Sequence, residues 1–325
     1  MTKAIRFHRT GGPDVLCWED VEIGAPGPGD LCIRQTAVGL NYIDVYHRTG
    51  LYPVPSLPSG IGMEAAGVVE AIGSDVTGVS VGQRVAYASG PVGSYAERRL
   101  MAESRVVILP DAISDRQAAA MMLQGLTAQY LLRRTYRVQP GDTVLIHAAA
   151  GGVGLIACQW AKHLGATVIG TVGTDAKADL AKANGCDFAI VYTRENFVTR
   201  VREITAQSGV AVVYDSVGKT TFDGSLDCLR PLGMMVSFGN ASGPVPPFDP
   251  GRLATKGSLF LTRPTLMTYT EKPEDLQAAA QELFDVVAGD HVRITINQTY
   301  PLRDAARAHA DLEARKTMGS TVLLP

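Results

Sequence analysis

The 325-residue sequence predicts an α/β protein in which a doubly wound parallel sheet is inserted into a β-rich domain. Three observations predict it. The apolar run Thr143 to Ile146 leads into a glycine turn, Ala149-Ala150-Gly151-Gly152-Val153-Gly154, and on into an amphipathic helical period. Short β-rich runs then alternate with helical periods as far as about residue 265, and that alternation builds a parallel sheet. Before about residue 130 the texture differs, with short strands, many Gly and Pro, and few long amphipathic periods.

Taken in order, Leu31–Val38, Gly67–Ile72 and Gln83–Tyr87 read as strands, with turns at Gly73-Ser74-Asp75 and Val81-Gly82. The strand ending at Ile146, a helix at 153–164, the strand Thr167–Val172 and a helix from Asp175 complete a βαβ unit of the usual ~30 residues. Phe188–Val191, Val210–Tyr214, Met234–Phe238 and Ser258–Leu261 are further strands, separated by helices around 194–205, 218–229 and 249–256. Six strands alternating with helices make the doubly wound sheet. After it come a helix at 273–289, a strand at 292–299, a helix at 301–315 and a last strand, Ser320–Leu324. This tail is expected to rejoin the first domain, giving one domain of 1–124 with 266–325 and an inserted one of 125–265.

The glycine turn carries chemistry. Gly151, Gly152 and Gly154 let the backbone turn sharply and approach a ligand, while the free N–H groups at the start of the next helix face the phosphates of a dinucleotide. The spacing departs from G-x-G-x-x-G, and the surrounding strand-turn-helix context supports the reading. Selection between NAD and NADP is decided at the end of the second strand, where an acid holds the ribose 2′-OH and a base holds a 2′-phosphate. Asp175 stands about 20 residues past the glycines but reads as a helix cap. Gly173 leaves room for a phosphate and Lys177 supplies a cation, so NADPH is favoured.

Composition excludes other classes. A net charge of −2 with no basic stripe makes nucleic acid and anionic membranes poor partners. The N-terminus, Met1-Thr-Lys-Ala-Ile-Arg-Phe-His8, has no apolar core of a signal peptide, and no apolar run approaches ~18 residues, so a soluble cytoplasmic protein is expected. Cys17, Cys32, Cys158, Cys186 and Cys228 are scattered without a C-x-x-C pair, and the six histidines show no ligand spacing.

Together, Asn41-Tyr-Ile-Asp44, Gly60-Ile-Gly-Met-Glu-Ala-Ala-Gly-Val68, Val81-Gly-Gln-Arg-Val85, Gly93-Ser-Tyr-Ala-Glu97, His147-Ala-Ala-Ala-Gly-Gly-Val-Gly154 and Val213-Tyr-Asp-Ser-Val-Gly218 resemble the zinc-free quinone oxidoreductases of the medium-chain dehydrogenase/reductase superfamily, the zeta-crystallin-like group. The resemblance runs from Met1 to Pro325. It implies a GroES-like catalytic domain built from both ends of the chain, a Rossmann domain between, NADPH in the cleft and a homodimer.

The resemblance also implies roles. Asn41 and Tyr46 match positions facing the nicotinamide and ribose end, and Gly152 and Val153 match the pyrophosphate turn. Gly173, Lys177, Tyr192 and Arg315 match positions around the adenine ribose and its 2′-phosphate. Phe238, Gly239 and Asn240 match the adenosine-side loop, Phe260 and Thr262 match backbone contacts to the carboxamide, and Leu123 and Thr127 complete the cleft. Singly, Tyr46, Tyr192, Phe238 and Phe260 each read first as packing aromatics and Arg315 also as a surface cation; their joint occurrence in order carries the roles. Where zinc-dependent members carry Cys and His ligands this chain has Asn41 and Met63, an amide and a thioether that bind zinc poorly, and no four-cysteine lobe, so no metal is expected. Without a Lewis acid, a quinone or an enone is the fitting hydride acceptor. The readings are therefore an NADPH-dependent quinone reductase, an enone or alkenal double-bond reductase on the same fold, and a non-enzymatic crystallin-type or NADPH-regulated RNA-binding role.

Overall fold

In the computed structural model, which describes residues 1–325, the run Asp30–Leu40 alternates buried Leu31, Ile33, Gln35 and Ala37 with more exposed neighbours. This is the period-two pattern of a strand with one covered face. It belongs to a first unit composed of Met1–Leu126, Thr270–Ala288 and Ile294–Pro325; a second unit comprises Thr127–Tyr269 and Gly289–Arg293. In chain order the elements are β1 (Thr2–Phe7), β2 (Cys17–Val21), β3 (Asp30–Leu40), α1 (Tyr42–Thr49), β4 (Ser59–Gly60), β5 (Glu64–Ile72), β6 (Arg84–Ala88), β7 (Arg98–Ala102), β8 (Val107–Ile108), α2 (Asp115–Ala119) and α3 (Met122–Tyr130). There follow β9 (Thr143–Ile146), α4 (Gly152–His163), β10 (Thr167–Val172), α5 (Asp175–Ala183), β11 (Phe188–Val191), α6 (Phe197–Ile204), β12 (Val210–Asp215), α7 (Phe222–Cys228), β13 (Leu229–Ser237), α8 (Gly251–Thr255), β14 (Phe260–Thr262) and α9 (Leu266–Tyr269). The chain ends with α10 (Pro273–Ala288), β15 (Ile296–Pro301), α11 (Ala305–Glu313) and β16 (Ser320–Leu324).

The first unit holds a sheet ordered β15-β16-β3-β5-β6-β8, with β7 also on β3, and a smaller sheet β2-β1-β4. Its core joins Ile5, Phe7, Leu31, Ile33, Val85, Tyr87 and Leu323. The C-terminal strand is integral to it, because β16 lies antiparallel to β3 with Val322 opposite Gly39. β5 crosses β3 so closely that a Cβ on Gly67 would stand 2.2 Å from the Arg34 carbonyl oxygen.

The second unit is a parallel sheet ordered β11-β10-β9-β12-β13-β14, with a core of Leu145, Ile169, Val213, Phe222, Leu226 and Met235. Every residue of β12 is buried, which is why the strand reads as a continuous apolar run with no alternation. Strand order reverses between β9 and β12, the place where doubly wound sheets bind ligands.

Several expectations shift. Gly289–Arg293 groups with the second unit, and that unit begins at Thr127 and runs to Tyr269, where 125–265 was expected. The cap of α5 is Thr174, whose hydroxyl accepts from the Lys177 N–H at 3.3 Å; Asp175 is the first helical residue. β14 starts at Phe260, because Ser258 has φ +56° and cannot extend a strand. α11 ends at Glu313, because Arg315 adopts φ +59°, the left-handed conformation that terminates helices. The final strand, Ser320–Leu324, falls where the sequence places it.

Candidate active site

At the switch point, the end of β9 passes through Ala148, at φ +53°, into the turn that starts α4. Gly151 caps that helix in extended geometry, and no side chain takes up its first N–H groups. Gly152 and Val153 are the first two helical residues, and the first turn holds no acid, so the exposed donors and the helix dipole both favour an anion. Gly154 fits because it lacks a side chain: a Cβ there would lie 2.4 Å from the Ala148 carbonyl oxygen and 2.8 Å from Ala149. Beneath the turn, His147 contacts the Thr171 hydroxyl at 2.8 Å and the Ser225 hydroxyl at 2.9 Å, and Ser225 contacts Asp215 at 3.0 Å. Burial pushes the His147 pKa down, so the ring is neutral and fastens the ends of β9, β10 and β12 together.

At the ends of β10 and β11, the structure brings Gly173 and Tyr192 together. A Cβ on Gly173 would stand 2.9 Å from the Tyr192 hydroxyl, and the Thr193 hydroxyl donates to the Gly173 carbonyl at 3.2 Å. Lys177 follows on the first turn of α5. Asp175 is exposed and gripped by the Arg194 guanidinium at 2.8 and 2.5 Å, which holds its carboxyl below the usual range. Beyond β13, the Phe238 N–H donates to the Asp215 carbonyl at 2.8 Å, and Gly239 lies so close to Ser216 that a Cβ would meet its carbonyl oxygen at 2.4 Å. Asn240 continues that loop, its carbonyl accepting from Gly243. Phe260 and Thr262 lie on β14, Phe260 being exposed. Thr127 is buried on α3.

The remaining predicted residues belong to the first unit. Asn41 caps α1; its backbone N–H donates to Asp44 Oδ2 at 2.9 Å and its side-chain amide to Glu64 Oε2 at 2.6 Å. Glu64 Oε1 takes the Leu123 N–H at 2.7 Å, and Gln124 Nε2 donates to Asn41 Oδ1 at 3.2 Å. Tyr46 is buried, its ring edge-on to Tyr42 at 5.5 Å and to Tyr52 at 5.0 Å. Arg315 is exposed beyond α11, on a different unit from Gly173, Lys177 and Tyr192. Met63 is buried beside Glu64.

Two buried acids were not anticipated as parts of this site. Burial raises Asp44 to about 7 and Glu64 to about 8, against the hydrogen bonds they accept. Asp44 also accepts from the Tyr95 hydroxyl at 2.9 Å, Tyr95 touches His309 at 3.1 Å, and His309 touches Arg48, which forks onto Glu313 at 2.8 Å through both oxygens. The Asn41-x-x-Asp44 spacing carries a cap signal; Tyr95, His309 and Glu313 carry none, because only the fold brings them to α1.

A β-rich unit closed by its C-terminal strand, joined to a six-stranded doubly wound unit with a glycine-rich turn, defines a medium-chain dehydrogenase/reductase. The alcohol dehydrogenase GroES-like domain profile matches residues 27–111 and the zinc-binding dehydrogenase profile residues 152–285. The chain is 56% identical over 325 residues to a quinone oxidoreductase of Pseudomonas aeruginosa, covering 100% of both chains. The crystal structure of Escherichia coli quinone oxidoreductase complexed with NADPH superposes with a TM-score of 0.98 at 49% identity, over 99% of this chain and 100% of that one. A 2-haloacrylate reductase from Burkholderia is 47% identical over 100% of this chain and 99% of its own. The chain belongs to the quinone oxidoreductase family.

Proposed function

We propose that this protein is an NADPH-dependent quinone reductase that needs no metal ion. The full-length likeness to quinone oxidoreductases, one of them complexed with NADPH, carries the reading. The residues present fit that cofactor: the N-terminus of α4, with no side-chain cap, receives a pyrophosphate, and Gly173, bare of a Cβ, faces the Tyr192 hydroxyl, with Lys177 on the first turn of α5. When bound, NADPH supplies the hydride.

The protein binds, orients and excludes water. From the second unit, Gly152 and Val153 hold the pyrophosphate through backbone N–H groups, and Gly173, Lys177 and Tyr192 hold the ribose 2′-phosphate. Phe238, Gly239 and Asn240 bound the adenosine, Phe260 and Thr262 offer backbone to the carboxamide, and Thr127 contributes to the lining. From the first unit, Asn41 and Tyr46 face the nicotinamide end, Leu123 lines it, and Arg315 adds charge for the 2′-phosphate. The Asn41 amide is committed to Glu64 and Gln124, Met63 offers a thioether, and no group of three His, Cys, Asp or Glu side chains assembles. That donor set supports hydride transfer to an acceptor that is already electron-poor. The reduced quinone takes its proton from water, so Tyr46→Phe is expected to retain kcat within ~100-fold, the scale below which general acid catalysis is not at work. A larger loss would make Tyr46 a proton donor.

The test follows nicotinamide absorbance in metal-chelated protein, with NADPH or NADH and 1,4-benzoquinone or 9,10-phenanthrenequinone as acceptor. Quinone-dependent oxidation that prefers NADPH and survives chelation is expected; NADPH binding without quinone turnover sinks the reading. A second reading is favoured by the likeness to the 2-haloacrylate reductase: hydride addition to a conjugated carbon–carbon double bond. Turnover of 2-chloroacrylate faster than of quinones would select it. No helix is long and apolar enough to cross a membrane. A homodimer sealed at β14 is part of the proposal: β14 is the outer strand of its sheet, and Phe260 is 56% and Leu232 68% exposed. A monomer by light scattering would remove it.

A further inference from the structure

We infer that Arg194 is a specificity-determining residue for NADPH: by gripping Asp175 it neutralises an acid that would otherwise repel the 2′-phosphate. The inference rests on the proposed placing of the adenine ribose beside Gly173, Lys177 and Tyr192.

Asp175 follows β10 by three residues, at the place where an acid in this fold takes the ribose 2′-OH of NAD. A bare carboxylate there opposes a phosphate dianion by like-charge repulsion. The carboxylate is not needed to start the helix, since the Thr174 hydroxyl already caps α5. Nor does the ion pair serve the fold to any extent, because Arg194 is 59% and Asp175 67% exposed, and such pairs contribute little to stability. What the pair does have is geometry. The guanidinium comes from the loop after β11, two residues beyond Tyr192, and meets both carboxylate oxygens at 2.8 and 2.5 Å. A planar fork on a planar carboxylate is the arrangement that holds an exposed charge in one place. It removes the negative charge that would oppose a 2′-phosphate and occupies the carboxylate that would otherwise accept from a 2′-hydroxyl.

Dissociation constants for NADPH and NADH, measured by nicotinamide fluorescence at low salt, test this in wild type, Arg194→Ala, Arg194→Ala with Asp175→Ala, and Lys177→Ala. In Arg194→Ala the unpaired Asp175 is expected to weaken NADPH relative to NADH by about tenfold, an effect that shrinks as salt screens the charges. Removing Asp175 as well returns the ratio of the two constants to within about threefold of wild type, since both charges are gone. An unchanged ratio in Arg194→Ala overturns the inference. So does a double variant as impaired as the single one, which would make Arg194 a direct phosphate ligand. If Lys177→Ala fails to weaken NADPH relative to NADH, the placing of the ribose has failed, and the inference falls with it; selective weakening there with an unchanged ratio in Arg194→Ala leaves the placing intact and condemns the Arg194 role alone.

Discussion

The Glu64 carboxyl is wholly buried, accepts from the Asn41 amide and the Leu123 N–H, and has the like charge of Asp44 acting on it. With its pKa raised to about 8, it is mostly protonated at pH 7. A neutral carboxyl has an O–H to place: with the Asn41 and Gln124 amides both turned end for end, Asn41 presents its oxygen to Glu64 and its NH₂ to the Gln124 oxygen, and the Gln124 NH₂ donates to the Ser320 hydroxyl, which still donates to the Ala120 carbonyl. Glu64→Gln keeps this pattern, so its urea stability at pH 7 is expected to lie within about 1 kcal/mol of wild type. Glu64→Ala strands the Leu123 N–H and the Asn41 amide and opens a cavity, which costs about 3 kcal/mol or more. Equal damage from both substitutions would show that the buried group is a charged carboxylate. At the cofactor end, replacing Lys177 and Arg315 together with alanine is expected to weaken NADPH far more than NADH, because only NADPH has a 2′-phosphate to lose charge-assisted bonds. Titration calorimetry showing equal weakening would refute the assignment of these residues.

At the scale of elements, the two glycines flanking the start of α4 make opposite predictions. Gly154 has the carbonyl of Ala148 in the place of a Cβ, 2.4 Å away, and backbone cannot move aside cheaply. Gly154→Ala is therefore expected to displace the turn, lower the melting temperature by several degrees and weaken NADPH at least tenfold, given how close phosphate and backbone must come. Gly151 has φ −83° and only one contact, at 3.2 Å, so Gly151→Ala is expected to be much milder, costing little beyond a poorer cap. Melting curves with and without NADPH that rank the two the other way would mean the turn is held differently. These same elements were the most legible in the sequence. Strands of a parallel sheet are covered on both faces and so appear as unbroken apolar runs, as in Val210–Asp215, and a glycine turn between such a strand and a helix marks the ligand-binding end of the sheet. Edges were harder. β2, Cys17-Trp-Glu-Asp-Val21, is only half covered and carries two acids, so it lacks the apolar run of the sheet strands. Backbone conformation at single residues, Ser258 and Arg315, decided two element ends and has no signature in residue type. The chain of contacts from Asp44 through Tyr95 and His309 to Arg48 and Glu313 was invisible because its members lie 51 to 265 positions apart, and any one of them alone reads as an ordinary polar residue.

For the whole molecule, the buried titratable groups are divided unevenly between the two units, and this predicts where pH acts. Asp44 and Glu64 bind protons in the native state, with pKa values near 7 and 8, that the unfolded chain has already released above about pH 4.5. Where the native state holds more protons, stability falls as pH rises, so their contribution is full at low pH and is lost as pH climbs to about 8. His309 has the opposite sign. Burial and Arg48 hold it neutral down to about pH 3, while an unfolded histidine takes a proton below about 6.5, so acid costs stability on that side. All three belong to the first unit. In the second unit, His147 gives the same acid limb, but the raised thiol of Cys228, at about 12, has no effect until pH exceeds about 9. Between pH 6.5 and 8.5 the first unit should therefore lose stability, about 2 kcal/mol from Glu64 alone, while the second has no matching loss, its Cys186 thiol being held below the ordinary value by the contact with Cys158. The two tryptophans separate the units: Trp18 packs against the core of the first, and Trp160 is buried in α4 of the second. Urea unfolding of Trp18→Phe and Trp160→Phe, each followed by the remaining indole, should show a midpoint that drops with pH only where Trp18 reports. If the two units unfold together, both midpoints drop, and adding Glu64→Gln should remove most of the slope from each. A slope that survives Glu64→Gln would place the pH-sensitive proton on another group and show that Glu64 is ionised in the folded protein at neutral pH.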